Sequence, residues 1–302
     1  MQFILFILTY PFLWVLSRFP MKLLYVISDF FFFIIFYVIK YRKNVVVNNI
    51  KRAFPEKTEQ EIHSISKKFF RHFTDLVMES VKSFSISKKN IRKRYVYENV
   101  EVVDELYNQG YSIALMGSHH NNWELSYGLP LLTDISCFGA YTKIKNPYYE
   151  KVIKASRTRF GYDGVPTFEF SKTIKRRLEE NVQSLYILLS DQSPQIHKTN
   201  HWHKFLNVYV PVHTGAEILA KKHNFAVANM TVTKVKRGHY SAKFELITKT
   251  PNDFEDFKIT EKFLAITEEH IKTQPEYYLW THKRFKHEGK YDLWEEKFKK
   301  KE

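Results

Sequence analysis

Residues 111–125 read YSIALMGSHHNNWEL. The first seven form a short, nearly continuous apolar run, the pattern of a strand buried on both faces. Five polar residues follow, and Trp123, Glu124 and Leu125 then lead into an apolar stretch read as helix. A strand that passes through a polar turn into a helix is the unit of an α/β layer structure, and open α/β sheets collect their ligands at the carboxyl ends of strands. Asn122 is the N-cap candidate, which places Glu124 in the helix's first turn, where the dipole favours its ionised form.

The same alternation continues downstream. Strand patterns recur at 135–141 (ISCFGAY), 184–190 (SLYILLS), 226–235 (AVANMTVTKV) and 241–248 (SAKFELIT), with helical stretches near 146–159, 170–181, 213–223 and 260–273. The expected fold is therefore α/β: a mixed, largely parallel sheet flanked by helices, with a hairpin of strands near 226–248. No internal repeat, low-complexity linker or heptad run interrupts it.

Upstream, Ile62, Ile65, Phe69, Phe73 and Val77 form an apolar stripe at helical spacing. Thr58 with Glu61 reads as the capping box that starts this helix. Before it lie two apolar runs, 2–16 (QFILFILTYPFLWVL) and 22–39 (KLLYVISDFFFFIIFYVI), separated by a segment containing Pro20. Residues 1–43 are read as a membrane-associated helical anchor and 44–302 as the folded domain. A cleaved signal peptide fits poorly, because no basic residue precedes the first run and no small-residue cleavage site follows it. A shallow hairpin, a helix pair along the interface and a single span by the second run all stand as arrangements of the anchor. Lys40, Arg42, Lys43, Lys51 and Arg52 follow the anchor, so the positive-inside rule puts the domain on the cytoplasmic side.

Forty-seven Lys and Arg against 32 Asp and Glu give a formal charge of +15, a field that draws anionic lipid, nucleic acid or acidic protein. The basic residues are dispersed and no recognition motif accompanies them, which argues against nucleic acid. Cys137 is the single cysteine, so no internal disulfide can form and a reducing compartment fits. The chain also has no G-x-S-x-G elbow, and Cys137 lies in a strand pattern, so neither nucleophile of an acyl-enzyme hydrolase is in place.

His119 and Glu124 are the candidate catalytic pair. With one ring nitrogen donating to Glu124, the other can take a proton from a hydroxyl. On one straight helix, residues five apart point about 140° away from each other, so the pairing needs the bend that Gly117, Asn121 and Asn122 supply. His120 stands four before Glu124, a spacing that counts only if the helix already begins there. By themselves, a His and an acid at this spacing also read as a structural pair at a strand end.

The H-x4-E spacing, the apolar N-terminus, NNIKRAFPE (48–56), NPYYEKVIKASRTRFG (146–161), SDQSP (190–194), PVHTGAEILAKKHN (211–224) and PEYYLWTHKRFK (275–286) together resemble the bacterial lipid A biosynthesis acyltransferases. These are the late, lauroyl- and myristoyl-type enzymes of the wider glycerolipid acyltransferases, and the blocks run nearly end to end in the family's order. The resemblance implies a glycerol-phosphate-acyltransferase-like fold. It also implies that His119 acts as general base on an acceptor hydroxyl, which attacks a thioester carried by acyl carrier protein or coenzyme A, with no further cofactor. It implies substrate-binding roles for Arg157, Arg159, Asp191 and Gln192, an anionic glycolipid acceptor (a lipid A precursor) and a place on the bacterial inner membrane. Where the family often carries Phe-Phe-Gly, this chain reads Lys204-Phe205-Leu206-Asn207, which implies a different pocket floor.

Two readings stand beside it: the same chemistry on another glycolipid or an aminolipid, and a non-catalytic peripheral lipid-binding protein. His197, His201 and His203 cluster, but no Cys or well-spaced acid accompanies them, so no metal site is assigned. Tyr277 to Trp280 reads as core packing, and Lys297 to Lys301 as a solvated basic tail.

Overall fold

The computed structural model describes residues 1–298; the end of the basic tail, 299–302, lies outside the described residues. Helix α1 (Gln2–Arg18) and α2 (Met21–Phe33), the latter prolonged by a wider π-helical segment (Ile34–Ile39), precede α3 (Lys43–Ala53) and α4 (Glu59–Lys82). Then come α5 (Lys88–Arg94), β1 (Tyr95–Tyr97), α6 (Glu101–Asn108), β2 (Ile113–Gly117), a 3-10 helix (Trp123–Leu131) and β3 (Ser136–Tyr141). The chain continues through α7 (Pro147–Thr158), β4 (Tyr162–Pro166), α8 (Phe170–Glu179) and β5 (Ser184–Leu189). A hairpin of β6 (His201–Phe205) and β7 (Val208–Val212) follows, then α9 (Gly215–His223), β8 (Ala226–Lys236), β9 (His239–Thr248), α10 (Lys258–Thr273) and α11 (Tyr291–Lys297).

Seven strands form one sheet in the order β1-β9-β8-β2-β5-β3-β4, mostly parallel, with β8 and β9 antiparallel. The five strand patterns read from sequence all form, and the hairpin near 226–248 is β8–β9. β2 lies at the centre with every residue buried, as its unbroken apolar text requires. One core lies on the side of the sheet that faces α3, α4 and α10, and a second on the side that faces α6 and the 3-10 helix.

Thr58 and Glu61 make the full reciprocal capping box at the start of α4. That helix buries Ile62, Ile65 and Phe69 and packs against α1, α2 and α3. α2 is held there by charge as well as by packing. Arg237, at the end of β8, donates to both Asp29 on α2 and Asp75 on α4, at 2.9 and 2.6 Å, and Ser28 donates to Asp75 at 2.8 Å. At the end of α1, Lys82 donates to the carbonyls of Ser17 and Phe19. The outer faces of both helices are exposed and apolar, with Ile4, Leu8, Phe12, Val26, Phe30 and Val38 among their surface residues. Met21–Ile39 is long and apolar enough to cross a membrane.

Candidate active site

β2 and β5 are parallel neighbours with Gly117 opposite Leu189, and the Ser190 N–H donates to the Gly117 carbonyl at 3.0 Å. Each strand runs two residues further, and this common register delivers His119 and Asp191 side by side. His119 donates from Nδ1 to Asp191 Oδ1 at 2.8 Å. Asp191 is fully buried, while the imidazole keeps an 18% exposed edge that lines a cavity of about 630 Å³ with mixed walls, the more polar of two cavities. Burial alone would raise the Asp191 carboxyl, but the charge and hydrogen bond of His119 outweigh it and hold the group below the usual carboxylate range. With Nδ1 committed to a carboxylate, Nε2 carries the free lone pair.

Glu124 does not orient His119, contrary to the pairing expected from sequence. Asn121 takes a left-handed conformation (φ 58°), Asn122 caps the following turn by accepting from the Leu125 N–H, and the chain swings away from β5. The turn that follows is a 3-10 helix with Glu124 in its first turn, and the Glu124 carboxylate receives the Arg157 guanidinium at 2.5 Å. Asp191, read from sequence as a substrate contact, takes the place on the imidazole that had been given to Glu124.

His120 points the other way and is consumed by structure. Buried to 1%, it donates from Nε2 to the Gln274 carbonyl at 2.8 Å and faces the Asn121 amide at its other nitrogen, 3.2 Å away. Burial, reinforced by neighbouring His270, pushes it down to about 3, so it stays neutral. Two more imidazoles, His213 and His282, are lowered by burial and by Arg284, His282 to about 4.

The C-terminal block closes over the turn. The Asn121 N–H donates to the Tyr277 carbonyl and the Leu279 N–H to the His119 carbonyl, a short antiparallel bridge that fixes the loop carrying His119. Tyr278 and Trp280 are buried, as core packing required, and the Tyr278 hydroxyl reaches the Asp191 carbonyl oxygen. Arg284, 1% exposed, lies over the Phe205 ring and donates to the Pro211 carbonyl. Burial holds its guanidinium below the usual arginine range, with Tyr278 and Asp191 acting in the opposite direction. His282 Nε2 accepts from the Ser193 N–H.

The remaining candidates separate. Gln192 lines the polar cavity with His119, His213 and Glu124. Arg159 does not join them: its guanidinium donates to the carbonyls of Ser83 and Ile86, tying the end of α7 to the segment after α4. A second, mainly apolar cavity of about 590 Å³ lies between α1, α4 and α7, with Leu13, Phe73, Leu76, Phe84 and Ile153 on its walls. Trp123, Glu124 and Arg157 belong to both cavities.

Sequence reading missed Arg284, His282 and His213, all of which sit around Asp191. The signal for Asp191 itself was present: the strand pattern at 111–117 ends in Gly117, two positions before His119, and the pattern at 184–190 ends in Ser190, immediately before Asp191. No curated protein matches the chain. A family model described as bacterial lipid A biosynthesis acyltransferase matches residues 1–287, and the chain belongs to that family.

Proposed function

We propose that this lipid A biosynthesis acyltransferase moves a fatty acyl group from a carrier-protein or coenzyme A thioester to a hydroxyl of an anionic lipid A precursor, with His119 as general base. The observation that carries the reading is the His119–Asp191 pair opening into a polar cavity that meets an apolar one at Trp123, Glu124 and Arg157. The polar chamber suits an acceptor headgroup, and the apolar chamber suits an acyl chain.

In this mechanism His119 Nε2 takes the proton of the acceptor hydroxyl as its oxygen bonds to the thioester carbonyl carbon. Asp191 stabilises the imidazolium that forms. The tetrahedral intermediate collapses with cleavage of the carbon–sulfur bond, and the departing thiolate recovers the proton from His119. Arg157, held by Glu124 at the junction, is the cation within reach of the negative charge that develops on the carbonyl oxygen or of an acceptor phosphate.

The surface supports a membrane setting. Asp29 is engaged by Arg237, and the inner face of α2 is packed on α4, so we read α1 and α2 as lying along the membrane with their apolar faces in lipid rather than as crossing it. The basic segment beyond them fits the cytoplasmic face of the bacterial inner membrane. Lys172, Lys175 and Arg176 on α8, whose Phe170 and Ser171 line the polar cavity, fit an acidic carrier protein.

The test is transfer of a labelled acyl group from carrier thioester to precursor lipid by the purified protein in detergent. The wild type is expected to form the acylated lipid, and His119→Ala to lose at least ~100-fold in rate. Full turnover in the variant would overturn the base assignment, and a non-catalytic lipid-binding protein predicts no turnover by either form.

A further inference from the structure

Away from the cavities, β6 and α10 bring together three side chains whose spacing is that of metal ligands. His201 and His203 are two apart on β6 and so share one face of the hairpin. Glu261, from the first turn of α10, faces them both. Its Oε1 is 3.0 Å from His201 Nε2 and 3.6 Å from His203 Nδ1, and the three candidate ligand atoms all lie within 4.8 Å of one another.

Zinc bonds of about 2.0–2.2 Å in a tetrahedron place ligand atoms roughly 3.3–3.5 Å apart, close to the two measured separations. All three side chains are partly buried, so they are positioned yet reachable. Two neighbours hold them in place. The His201 ring stacks on Phe257 at 4.6 Å and 13°, and Lys258 donates to the second carboxylate oxygen of Glu261 at 2.8 Å, leaving Oε1 turned toward the imidazoles. The sequence showed the histidines without an acid; the fold supplies one from a helix far along the chain.

We propose that His201, His203 and Glu261 bind one divalent transition-metal ion, zinc in the first instance. Two imidazoles and one carboxylate leave a fourth position for water. None of the three lines either cavity, so the ion is separate from the transfer chemistry. What it joins is the β6–β7 hairpin to α10. β7 runs directly into His213 and Gly215 on the wall of the polar cavity, and Leu206 at the hairpin turn already donates to Glu268 of α10. The ion would reinforce that attachment, stabilising the protein on binding in proportion to its affinity.

The experiment is titration of the chelator-stripped full-length protein in detergent with zinc chloride, followed by calorimetry, and with cobalt chloride, followed by visible absorption. The expected results are one zinc per chain, the intense d–d bands of four-coordinate cobalt, and a rise in the thermal midpoint with zinc. His203→Ala and Glu261→Gln should each abolish the one-to-one phase. A wild type without stoichiometric zinc or the four-coordinate cobalt spectrum overturns the proposal, and so does binding that survives unchanged in both variants. The cobalt spectrum is read on wild-type protein, so the result does not depend on either variant folding.

Discussion

At the residue scale, the proposed chemistry rests on which nitrogen of His119 carries its proton, and Asp191 decides that. A carboxylate at 2.8 Å accepts from Nδ1 and leaves Nε2 basic. In Asp191→Asn the amide can donate instead, which favours the tautomer with Nε2 protonated and useless as a base. The rate of acyl transfer should fall by about 10³–10⁴ with KM little changed. A purely structural Asp191 would instead lower the yield of folded protein while leaving the kcat of the folded fraction intact, and steady-state kinetics on the folded fraction separates the two. His120 supplies a different observable. Its native value near 3 lies below the ordinary 6.5, so the stability it contributes is fully present above about pH 6.5 and is lost as pH falls toward 3. Between pH 7 and 5 that loss amounts to about 2 kcal/mol. His120→Gln, which can still donate to the Gln274 carbonyl, should be less stable at pH 7 yet show a flatter decline of thermal midpoint with acid. An equally steep decline would assign the acid sensitivity to other groups.

At the element scale, the polar hub around Arg237 governs how the N-terminal helices sit. Asp75 is buried and depends on Arg237, with Lys234 at 3.8 Å as a weaker partner, while Asp29 is half exposed. Arg237→Met should therefore cost roughly 2 kcal/mol, less than the 3–5 of a wholly buried pair because Lys234 and water take up part of the charge. It should also release α2 from α4. Limited proteolysis in detergent is expected to cut between residues 20 and 58 faster in the variant, and unchanged cleavage would mean that apolar packing alone holds α2. The elements legible in the sequence were those with strong periodicity: the capping box of α4, the central strands β2 and β5, the helices after β3 and β7. Those missed had no such pattern. β4 carries Asp163, Gly164 and Pro166 in five residues and is an edge strand. β7 contains Pro211, and β6 reads HWHKF, so two members of the histidine cluster, His201 and His203, stand on a strand, with His197 in a short 3-10 helix before it. Edge strands and hairpins outside the main sheet need not be apolar on two faces, so composition does not reveal them. The same limit explains Glu124. Spacing along the chain put it near His119, but a left-handed Asn121 and a lateral strand register decide neighbours, and neither is written in the spacing.

At the scale of the whole molecule, the two cavities draw on nearly every part of the chain, and their junction is where the proposed transfer must occur. The polar chamber is walled by the ends of β2, β3 and β5 with the starts of α8 and α9, and at Gly139 any Cβ would sit 1.4 Å from the Tyr162 hydroxyl oxygen, so only glycine fits beside that tyrosine. The apolar chamber is walled by the N-terminal helix α1, by α4, by α7 and by the C-terminal block at Leu279 and Thr281. Its walls therefore depend on docking of the N-terminal helices as well as on the sheet. Glu79, buried on α4, accepts from Tyr25 of α2, Tyr240 of β9 and the Asn122 amide, and so connects the N-terminal helices, the sheet and the turn after β2 through one carboxylate. If the apolar chamber holds the acyl chain, narrowing it must shorten the chain that fits without touching His119. Leu76→Trp adds bulk from α4 into that chamber, and Leu76 does not line the polar one. Given a mixture of donors of different length, the variant should shift its product toward shorter acyl groups, because each buried methylene contributes about 0.8 kcal/mol only while it can enter the cavity. With a short-chain donor its rate should stay within a few-fold of wild type. The readout is mass spectrometry of the acylated lipid. A uniform fall in rate across all lengths would place the acyl chain elsewhere and return the apolar chamber to a packing defect beneath the N-terminal helices.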